Sequence, residues 1–411
     1  MDRFFSTNLK LGVIGLGKLG APMLAALASK GFEVFGCDSD ESKVRAINEG
    51  RAPVDETDLQ EFLIANKERI RATTKIKECV QFADITFVVT ATPSGPDDKF
   101  SLEYILPVCE ELGRSLRTKS KQAFHIVVIT STVMPGDTWG PIRETIEKHS
   151  GRKCGESFGL AYSPEFIALG SVLRDFLSPD FVLLGASDPL TEARVTSVYK
   201  TISDAPIAAM SPVNAEITKI AVNTFLCTKI SYANMLLRIC NEIPGADVDV
   251  VSGAVGMDSR IGKKLLKGGT SYGGPCLPRD TKAMATLGQS FPLVIDSFNR
   301  AQILWLADFV QKHAKGVINI LGFTYKPGTC EETESAGKAL LQELNRRGVR
   351  TTRDDNYNVD GDSDTFVVML PDPAFKDYSF SGSTVIDPWR FLPELANDPS
   401  IRYIPLGVGP H

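Results

Sequence analysis

The stretch that decides the fold is Leu11-Gly12-Val13-Ile14-Gly15-Leu16-Gly17-Lys18-Leu19-Gly20. Its apolar first part is typical of a buried strand, and the pattern of residues 21–30 predicts a helix after the glycines. In such a turn the first glycine permits the bend, the second lets a pyrophosphate approach the backbone, and the third lets the helix pack on the sheet. Asp38 ends the next predicted strand, where a carboxylate binds ribose hydroxyls and repels a 2′-phosphate. This arrangement of strand, turn, helix and second strand therefore predicts NAD binding. The alternative is a glycine-rich turn in some other α/β protein. The residues expected to bind NAD are Gly15, Gly17, Lys18, Leu19, Gly20 and Asp38.

Short apolar runs alternate with helical patterns over the first half of the chain, which predicts a doubly wound parallel sheet. Its predicted strands are Leu11–Ile14, Val34–Cys37, Ile85–Thr90, His125–Thr130, Leu160–Tyr162 and Phe181–Leu184. One long helix is then predicted from Ser211 to Glu242, with Ser211 as its N-cap and Pro212 as its first residue. Strand-like runs return at Gly316–Tyr325, Val349–Arg353, Thr365–Leu370 and Thr384–Asp387.

The length of 411 residues exceeds one ordinary core, so we expect two or three domains. The patterns predict an α/β protein in which two Rossmann-like doubly wound domains are joined by a helical central domain. The predicted ranges are 1–204 for the first α/β domain, 205–300 for the helical domain and 301–411 for the second, smaller α/β domain.

The composition argues against several classes of protein. A formal net charge of −5 gives no support for nucleic-acid binding, which needs a basic surface. Apolar runs such as Val367–Leu370 are far too short to span a membrane, and Met1–Lys10 lacks the apolar region of a secretory signal. The eight cysteines include no CxxC pair, which argues against a metal site and favours the reducing cytoplasm. We expect all of them except Cys276 to be small core residues.

The most informative segment chemically is Tyr272-Gly273-Gly274-Pro275-Cys276-Leu277-Pro278-Arg279-Asp280. Its glycines and prolines predict an irregular loop around one thiol, and a cation such as Arg279 would favour the thiolate. A buried structural cysteine is the alternative that this segment alone leaves open. On the long helix, Lys219 has apolar neighbours and Asn223 follows one turn later on the same face. Their spacing alone favours a snorkelling lysine beside a core asparagine.

Seven motifs together carry a resemblance to a known family. They are residues 15–20, Ser131-Thr132-Val133, Ser163-Pro164-Glu165-Phe166, Lys219 with Asn223, Arg260-Ile261-Gly262, Gly273-Gly274-Pro275-Cys276 with Asp280, and Gly322-Phe323-Thr324-Tyr325-Lys326-Pro327. In this order, over residues 11 to about 350, they resemble the UDP-glucose/GDP-mannose dehydrogenase family. The resemblance implies an NAD-dependent enzyme of polysaccharide biosynthesis that oxidises the C6 alcohol of a nucleotide sugar to a carboxylate. UDP-glucose, giving UDP-glucuronate, is the first expectation; GDP-mannose or another UDP-hexose is the alternative.

The resemblance also implies catalytic roles. Cys276 would attack the C6 aldehyde to give a thiohemiacetal, which the second oxidation would convert to a thioester. Lys219 and Asp280 would hold and deprotonate a water in the first oxidation. Lys219 and Asn223 would stabilise the oxyanion, and Glu165 would assist hydrolysis of the thioester.

Binding roles and an assembly follow from the same resemblance. Thr92, Thr132 and Arg279 would lie beside NAD, and Thr132 would orient a water near the nicotinamide. The last domain would bind the UDP-sugar, and the central helix would form a homodimer, so that Arg260 reaches the sugar site of the second subunit. The other residues expected along the nucleotide sugar are Glu165, Phe166, Ile167, Lys219, Asn223, Lys267, Tyr272 and Gly273.

The sequence departs from the family pattern at four places. Leu169 stands before Gly170 where an acidic residue is usual, and Thr333 stands where the family has the Arg of an Arg-Glu-Ser triplet. A lost guanidinium removes a contact of about 1.5–3 kcal/mol, for which Arg346 or Arg347 could substitute. The segment 387–390 lacks the Gly-Arg-Asn run, and Pro275 replaces a common serine.

Two other classes of function compete with this interpretation. A simple β-hydroxyacid dehydrogenase shares the first domain and a helix lysine and asparagine, but it lacks the Cys276 loop and the last domain. A non-catalytic protein that binds nucleotide sugars is the second alternative, which Leu169 and Thr333 keep open. The Pro-Glu-Phe run at 164–166 favours UDP-glucose or GDP-mannose over N-acetylated hexosamines.

Overall fold

The computed structural model describes residues 9–120, 123–354 and 363–409. Residues 1–8, in which we expect no secretory signal, lie outside the described residues. The chain divides into two compact units, Met1–Lys219 and Ile220–His411. The division into three domains at 204/205 and 300/301 stays a prediction. In the described ranges, no helix is both long enough and apolar enough to cross a lipid bilayer.

Unit 1, which is Met1–Lys219, is built around a sheet of eight strands among its described residues. The strands are β1 (Lys10–Ile14), β2 (Glu33–Cys37), β3 (Ile70–Thr73), β4 (Ile85–Val88), β5 (His125–Ile129), β6 (Phe158–Tyr162), β7 (Val182–Ala186) and β8 (Ile207–Met210). The helices are α1 (Gly20–Ser29), α2 (Glu41–Asn48), α3 (Leu59–Ala65), α4 (Ile76–Phe82), α5 (Ile105–Thr118), α6 (Arg143–Ser150), α7 (Val172–Leu177) and α8 (Pro189–Ile202). The order across the sheet is β3-β2-β1-β4-β5-β6-β7-β8, and every neighbouring pair is parallel except β6 with β7.

The strand order places a ligand crevice at one edge of this sheet. Because β1, β4, β5 and β6 run parallel, their carboxyl ends lie at the same edge. Between β1 and β4 the order of the strands reverses, and ligands of open α/β sheets bind outside the carboxyl ends at such a point. The loops after these four strands are therefore where a cofactor site is expected in unit 1.

Each strand that we predicted in this half of the chain is confirmed, with ends shifted by a few residues. The sequence did not predict β3 and β8, which are four residues long and lie at the two edges of the sheet. The residues of β8, Ile207–Met210, are all apolar but mostly half-buried, and the run is only four residues long.

Unit 2, which is Ile220–His411, contains the predicted helical region and a second sheet. The helices are α9 (Pro212–Glu242), within which the unit boundary falls, α10 (Val248–Val255), α11 (Leu277–Ala285), α12 (Phe291–His313) and α13 (Ala336–Arg346). The strands β9 (Val317–Leu321), β10 (Thr351–Asp354), β11 (Ser363–Val368), β12 (Thr384–Asp387) and β13 (Arg402–Pro405) form a parallel sheet in the order β10-β9-β11-β12-β13. The predicted fold class, with two Rossmann-like sheets and a helical central region, is confirmed.

Two predictions about unit 2 need correction. The strand predicted over Gly316–Tyr325 ends at Leu321, because Gly322 turns the chain with a φ of +94°. The expectation that every cysteine except Cys276 lies in the core is wrong for Cys330, which is exposed. Cys154 is half-buried, and the remaining five cysteines are buried as expected.

A buried histidine makes the stability of unit 1 depend on pH. His125 is fully buried on β5, and its ring nitrogens lie 3.1 Å from the Ala83 carbonyl oxygen and 3.1 Å from the Thr86 hydroxyl. Burial, assisted by the positive charges of Lys119 and Arg152, holds the pKa of His125 well below 6.5. Once the pH falls below about 6.5, the His125 ring therefore binds a proton in the unfolded chain but not in the folded chain.

We expect the free energy of unfolding to fall by up to about 1.4 kcal/mol per pH unit below pH 6.5 on account of His125 alone. Urea unfolding at pH 7 and pH 5.5 measures this dependence. The Asn side chain of His125→Asn cannot take up this proton. The loss of unfolding free energy between pH 7 and pH 5.5 should therefore be smaller in this variant by up to about 1.4 kcal/mol. An equal loss in both proteins would contradict the assignment.

Candidate active site

The turn between β1 and α1 leaves room for a ligand at one glycine and none at the other two. A Cβ at Gly15, whose φ is +97°, would overlap the Val89 carbonyl oxygen. A Cβ at Gly20 would overlap the Gly15 carbonyl oxygen, because the first turn of α1 sits directly on the end of β1. At Gly17 a Cβ would meet no atom within 4 Å, so the space in front of this backbone is open.

Asp38 fixes the same turn from the end of β2. Its Oδ2 accepts a hydrogen bond of 2.7 Å from the backbone N–H of Leu16, and its Oδ1 accepts one of 2.9 Å from Asp40. Lys43 Nζ lies 3.6 Å from Oδ2. A carboxylate has about four lone-pair sites, so these contacts leave acceptor capacity for ribose hydroxyls.

These residues fit a dinucleotide. The open space at Gly17 adjoins the start of α1, where backbone N–H groups and the helix dipole favour a phosphate group. Lys18 is exposed and Leu19 is half-buried at the same helix start. The turn also lies at the carboxyl end of β1, next to the point where the strand order reverses. Gly15, Gly17, Lys18, Leu19, Gly20 and Asp38 are therefore positioned as NAD binding requires.

The loops after β4 and β5 are joined through hydroxyl groups. Thr92 is buried, and its Oγ1 donates a hydrogen bond of 2.6 Å to the carbonyl oxygen of Thr132. The Thr90 N–H donates to Ser131 Oγ over 2.9 Å. The structure thus brings together Thr92 and Thr132, which the sequence predicted to lie beside NAD.

Glu165 lies in the loop after β6, with its side chain and its backbone both engaged. Its Oε1 accepts a hydrogen bond of 3.1 Å from the Tyr199 hydroxyl, and its carbonyl oxygen accepts one of 2.7 Å from Lys219 Nζ. Desolvation raises the pKa of Glu165 to about 7, although the Tyr199 hydroxyl and the Lys219 charge act in the opposite direction. A carboxyl group with this pKa can gain or lose a proton near neutral pH.

Lys219 has polar and aromatic partners, which a buried lysine with apolar neighbours in the sequence needs. It is buried, and besides the bond to Glu165 its Nζ lies 4.4 Å from the centre of the Phe166 ring. A cation over an aromatic face is stabilised by the ring quadrupole. Phe166 packs in turn on Phe181, with ring centres 5.0 Å apart, and Ile167 is half-buried beside it in sequence. Glu165, Phe166 and Lys219 therefore form one cluster in unit 1.

In unit 2, Cys276 immediately precedes α11 and is exposed. Its carbonyl oxygen accepts a hydrogen bond of 2.8 Å from the N–H of Asp280, which closes the first turn of the helix. The thiol is therefore carried at the N-terminal end of α11 and is open to a ligand. An accessible thiol at this position is equipped to act as a nucleophile, whereas the alternative of a buried structural cysteine does not describe it.

Asp280 is fully buried one turn into α11 and has two partners. Asn223 Nδ2 donates to its Oδ2 over 2.6 Å, and the Arg279 guanidinium donates to its Oδ1 over 3.1 and 3.0 Å. The charge of Arg279, which the sequence suggested as a support for the thiolate, is thus shared with Asp280. The structure brings Asn223, Arg279 and Asp280 together, next to Cys276 along the helix.

The loop that leads to Cys276 is held from several sides. Tyr272 is buried against Cys227 and Ile295, and its backbone N–H and C=O are both bonded to the Asn299 amide at 2.9 and 3.0 Å. A Cβ at Gly273 would overlap the Glu334 carbonyl oxygen. The ring of Tyr272 is therefore packed inside, and its backbone is held by Asn299.

Two predicted substrate residues lie at the surface of unit 2. Lys267 and Arg260 are exposed, and Arg260 forms hydrogen bonds of 2.6–3.2 Å with Asp258. Lys229 Nζ donates to the carbonyl oxygens of Ile261 and Gly262 over 3.2 and 3.1 Å, which holds the turn after Arg260. Sequence reasoning assigned no role to Tyr199 and Ser163, although both side chains belong to the Glu165 network.

Comparisons with known proteins identify the family of this chain. Residues 9–203 match the NAD binding domain of the UDP-glucose/GDP-mannose dehydrogenase family, and residues 213–302 match its central domain. The chain is 34% identical to UDP-glucose 6-dehydrogenase of Haloferax volcanii over 351 residues, covering 82% of this chain and 80% of that protein. It is 31% identical to GDP-mannose 6-dehydrogenase of Azotobacter vinelandii over 352 residues, covering 83% and 80%.

Among solved structures, a UDP-glucose dehydrogenase from Pyrobaculum islandicum superimposes with a TM-score of 0.86 and 28% identity, covering 98% of each chain. The fold and the family matches define an NAD-dependent oxidoreductase. More particularly, the chain belongs to the UDP-glucose/GDP-mannose dehydrogenase family, and it is an NAD-dependent nucleotide-sugar dehydrogenase.

The turn at Gly17 and Gly20 gives a matched pair of variants. We expect Gly17→Ala to fold normally, because its methyl group meets open space, and to lose NAD affinity at least about tenfold, or 1.4 kcal/mol. Gly20→Ala should instead lower the free energy of unfolding by about 1–3 kcal/mol, because its methyl group overlaps the Gly15 carbonyl. Calorimetric NAD titration and thermal unfolding of both variants separate the two effects. Unchanged NAD affinity in Gly17→Ala would show that the pyrophosphate binds elsewhere.

Proposed function

We propose that this enzyme oxidises the C6 alcohol of a nucleotide sugar to the carboxylate in two steps, through covalent intermediates on Cys276. The observation that carries the proposal is the exposed thiol at the start of α11, one helical turn from the buried Asp280–Asn223 pair. UDP-glucose, which would give UDP-glucuronate, is the first substrate. GDP-mannose is the second candidate, because a GDP-mannose 6-dehydrogenase is a relative of nearly equal similarity.

The thiol makes the second oxidation possible. The Cys276 thiolate adds to the aldehyde carbon, and the π electrons of the carbonyl move to oxygen, which gives a thiohemiacetal. NAD, held by the turn 15–20 and Asp38, would supply the hydride acceptor for both oxidations. Loss of hydride from the tetrahedral adduct leaves a thioester; water adds to it, the C–S bond breaks, and the carboxylate and the thiolate are released. The adduct is a better hydride donor than the free aldehyde, and it cannot diffuse away.

The side chains near Glu165 in unit 1 and near Asp280 in unit 2 would supply charge and proton transfer. The Lys219 ammonium would stabilise the oxyanion formed at C6, and Glu165, with its raised pKa, would take the proton of the attacking water in the last step. Lys219 and Asp280 would hold the water of the first oxidation. Asn223 would act mainly through the 2.6 Å hydrogen bond by which it orients Asp280.

Binding of NAD and of the sugar uses the remaining predicted residues. The turn 15–20 with Asp38 would hold the dinucleotide, with Thr92, Thr132 and Arg279 nearer to its reactive end. The backbone of 272–273, Lys267, Phe166 and Ile167 would contact the nucleotide sugar. Among the described residues the eight cysteines form no disulfide, which agrees with a reducing compartment, and we therefore infer a cytoplasmic enzyme.

We also propose a homodimer formed through α9. Phe225, Tyr232 and Ile239 recur every seventh residue and are 63%, 46% and 45% exposed, so they form one apolar stripe along the helix. A seven-residue apolar repeat suits packing against another helix, and a second copy of α9 carries the matching stripe. In this dimer Arg260 of one subunit would reach the sugar site of the other.

Turnover with a panel of nucleotide sugars tests the function. We expect NADH release with UDP-glucose, GDP-mannose or another hexose nucleotide at two NADH per sugar. Cys276→Ala should reduce acid formation by about 10³-fold or more, because a nucleophile is lost. Cys330→Ala, which removes the other exposed thiol of unit 2, should retain normal rates.

Each alternative gives a different result in the same assay. One NADH per substrate would indicate a simple alcohol dehydrogenase, and acid formation by Cys276→Ala at near-normal rates would exclude the covalent route. NAD and nucleotide-sugar binding without turnover on any sugar would favour the non-catalytic binder.

The dimer is tested by placing a charge in the apolar stripe. Phe225→Glu should weaken dimerisation at least about 30-fold, as loss of a hot-spot residue worth about 2 kcal/mol would. Ile64→Glu on α3 is the matched control, because Ile64 is equally exposed at 63% and lies in unit 1. Light scattering over a concentration series should give monomers only for Phe225→Glu. A dimer of unchanged affinity in that variant would place the interface elsewhere.

A further inference from the structure

We propose that the hydroxyl groups of Ser163 and Tyr199 form a reversible hydrogen-bond chain that accommodates both protonation states of Glu165. The chain makes Tyr199 and Ser163 positioning residues for the carboxyl group that the proposed function uses in thioester hydrolysis. The inference rests on that function for its catalytic meaning, and on the geometry of unit 1 for its existence.

The chain starts at a backbone oxygen of β7 and ends at the carboxyl group. Ser163 Oγ lies 2.9 Å from the Leu183 carbonyl oxygen and 2.8 Å from the Tyr199 hydroxyl oxygen. The Tyr199 hydroxyl oxygen lies 3.1 Å from Glu165 Oε1. Ser163 and Tyr199 are 1% and 3% exposed, so protein groups rather than bulk water satisfy these hydroxyls.

The number of hydroxyl protons shows that the hydrogen-bond chain has two arrangements. Ser163 has one hydroxyl proton but two acceptors within hydrogen-bond distance, so only one of its two contacts is donated by Ser163 at a time. When Glu165 is ionised, Ser163 donates to Tyr199 and Tyr199 donates to the carboxylate. When Glu165 is protonated, Glu165 donates to Tyr199, Tyr199 donates to Ser163, and Ser163 donates to the Leu183 carbonyl.

Both arrangements satisfy every hydroxyl proton of the chain. A buried donor without an acceptor is destabilising, so a carboxyl group that titrates inside the protein usually disturbs its neighbours in one of its two states. Here the chain reverses direction and ends on a carbonyl oxygen that only accepts. Glu165 can therefore change its protonation state without movement of heavy atoms.

The charged and titratable groups around Glu165 agree with its use near neutral pH. Tyr199 approaches from α8 and Lys219 from α9, and both favour the ionised carboxylate, whereas desolvation favours the protonated form. The Tyr199 pKa is raised well above 10 by burial and by the Glu165 charge, so Tyr199 remains protonated and acts as a donor.

In the reaction this reversal would accompany the hydrolysis of the thioester. Ionised Glu165 takes a proton from the attacking water, whose oxygen forms the bond to the acyl carbon, and the C–S bond to Cys276 breaks. The three hydroxyl protons then point away from Glu165, and they return when the carboxyl group gives its proton to solvent. No proton leaves the site through Ser163, so the chain orients Glu165 and is not a proton wire.

The experiment isolates this step from the hydride transfers. The enzyme is mixed with NAD and the nucleotide sugar that it oxidises, quenched at intervals, and the loss of the acyl adduct on Cys276 is followed by intact-mass spectrometry from pH 5.5 to 9. Because ionised Glu165 is the base, the rate of loss should rise with pH through its pKa. Glu165→Gln should lose the adduct slowly and without this rise.

The two hydroxyl variants should shift the pH profile in opposite directions. Tyr199→Phe removes the donor to the carboxylate, so the rise should move to higher pH by about one unit, with about tenfold slower loss at pH 6 and normal rates at high pH. Ser163→Ala leaves the Tyr199 proton without an acceptor when Glu165 is protonated, so the rise should move to lower pH. The matched control is Ser197→Ala on α8, whose hydroxyl bonds the Arg194 carbonyl over 2.7 Å and should leave the profile unchanged.

A merely structural role is distinguished by this pattern, because a loosened fold would slow both variants without opposite shifts. If both variants moved the profile to higher pH, or neither did, the reversible chain would be wrong. KM for the nucleotide sugar should stay within about twofold of wild type, since neither hydroxyl is assigned to substrate binding. If wild type forms no adduct with any nucleotide sugar, the proposed function fails instead.

A second measurement needs no substrate and keeps the inference testable in that case. A carboxyl group whose folded pKa is raised to about 7 binds its proton more tightly in the folded state, so its contribution to stability is lost as the pH rises from about 4.5 to 7. The difference in unfolding free energy between wild type and Glu165→Gln should follow this course. In the Tyr199→Phe background the loss should extend to higher pH, and in the Ser163→Ala background to lower pH; identical curves in all three backgrounds would overturn the chain.

Discussion

In each of the two sheets a helix packs so closely on the end of a strand that only glycine fits at the contact. Gly20 lies on the Gly15 carbonyl where α1 follows β1, and Gly337 lies on the Gly322 carbonyl where α13 follows β9. In each case the first glycine has a φ near +95°, at +97° and +94°, and the second lets the helix sit directly on the strand end. Only a short turn separates the pair in unit 1, whereas residues 323–336 lie between the two glycines of unit 2. The same constraint is thus used for a ligand in one unit and for a loop in the other.

That inserted loop is what supports the thiol. The Gly274 N–H donates to the Thr333 carbonyl oxygen over 2.9 Å, and the ring of Tyr325 occupies the space where a Cβ at Gly274 would be. The chain before Cys276 is therefore fixed by backbone atoms of the segment between β9 and α13. A nucleophile on an irregular loop gains its orientation in this way from a rigid Rossmann-like crossover.

Sequence reasoning located the glycine turn from its own residues, because a strand, the glycine-rich turn and a helix follow one another within a few positions. Cys276, Lys219 and Asn223 were assigned only through the resemblance to family motifs, because their local spacing alone leaves a structural role open. Tyr199 and Ser163 could not be assigned from the sequence. Tyr199 lies on α8, 34 positions after Glu165, and its contact with Glu165 depends on how α8 packs on the sheet. Cys330 was placed wrongly for a related reason: cysteine is buried in most proteins, and only the three-dimensional path of its loop exposes it.

The departures from the family pattern lie beside backbone contacts that a motif does not record. Thr333 meets the thiol loop through its carbonyl oxygen, which any side chain supplies, so replacement of an arginine there leaves this support intact. Beside Leu169, the Glu56 carboxylate accepts from the N–H groups of Gly170 and Val172 at 2.9 and 2.8 Å and brings an acidic group to that loop from another part of unit 1. Arg390 pairs with Asp249 and donates to the Gly268 carbonyl, although its run differs from the usual one. These changes alter side chains, while the backbone before Cys276 keeps its hydrogen bond to Thr333. In the proposed function they would therefore bear on which sugar and base are bound, and not on the position of Cys276.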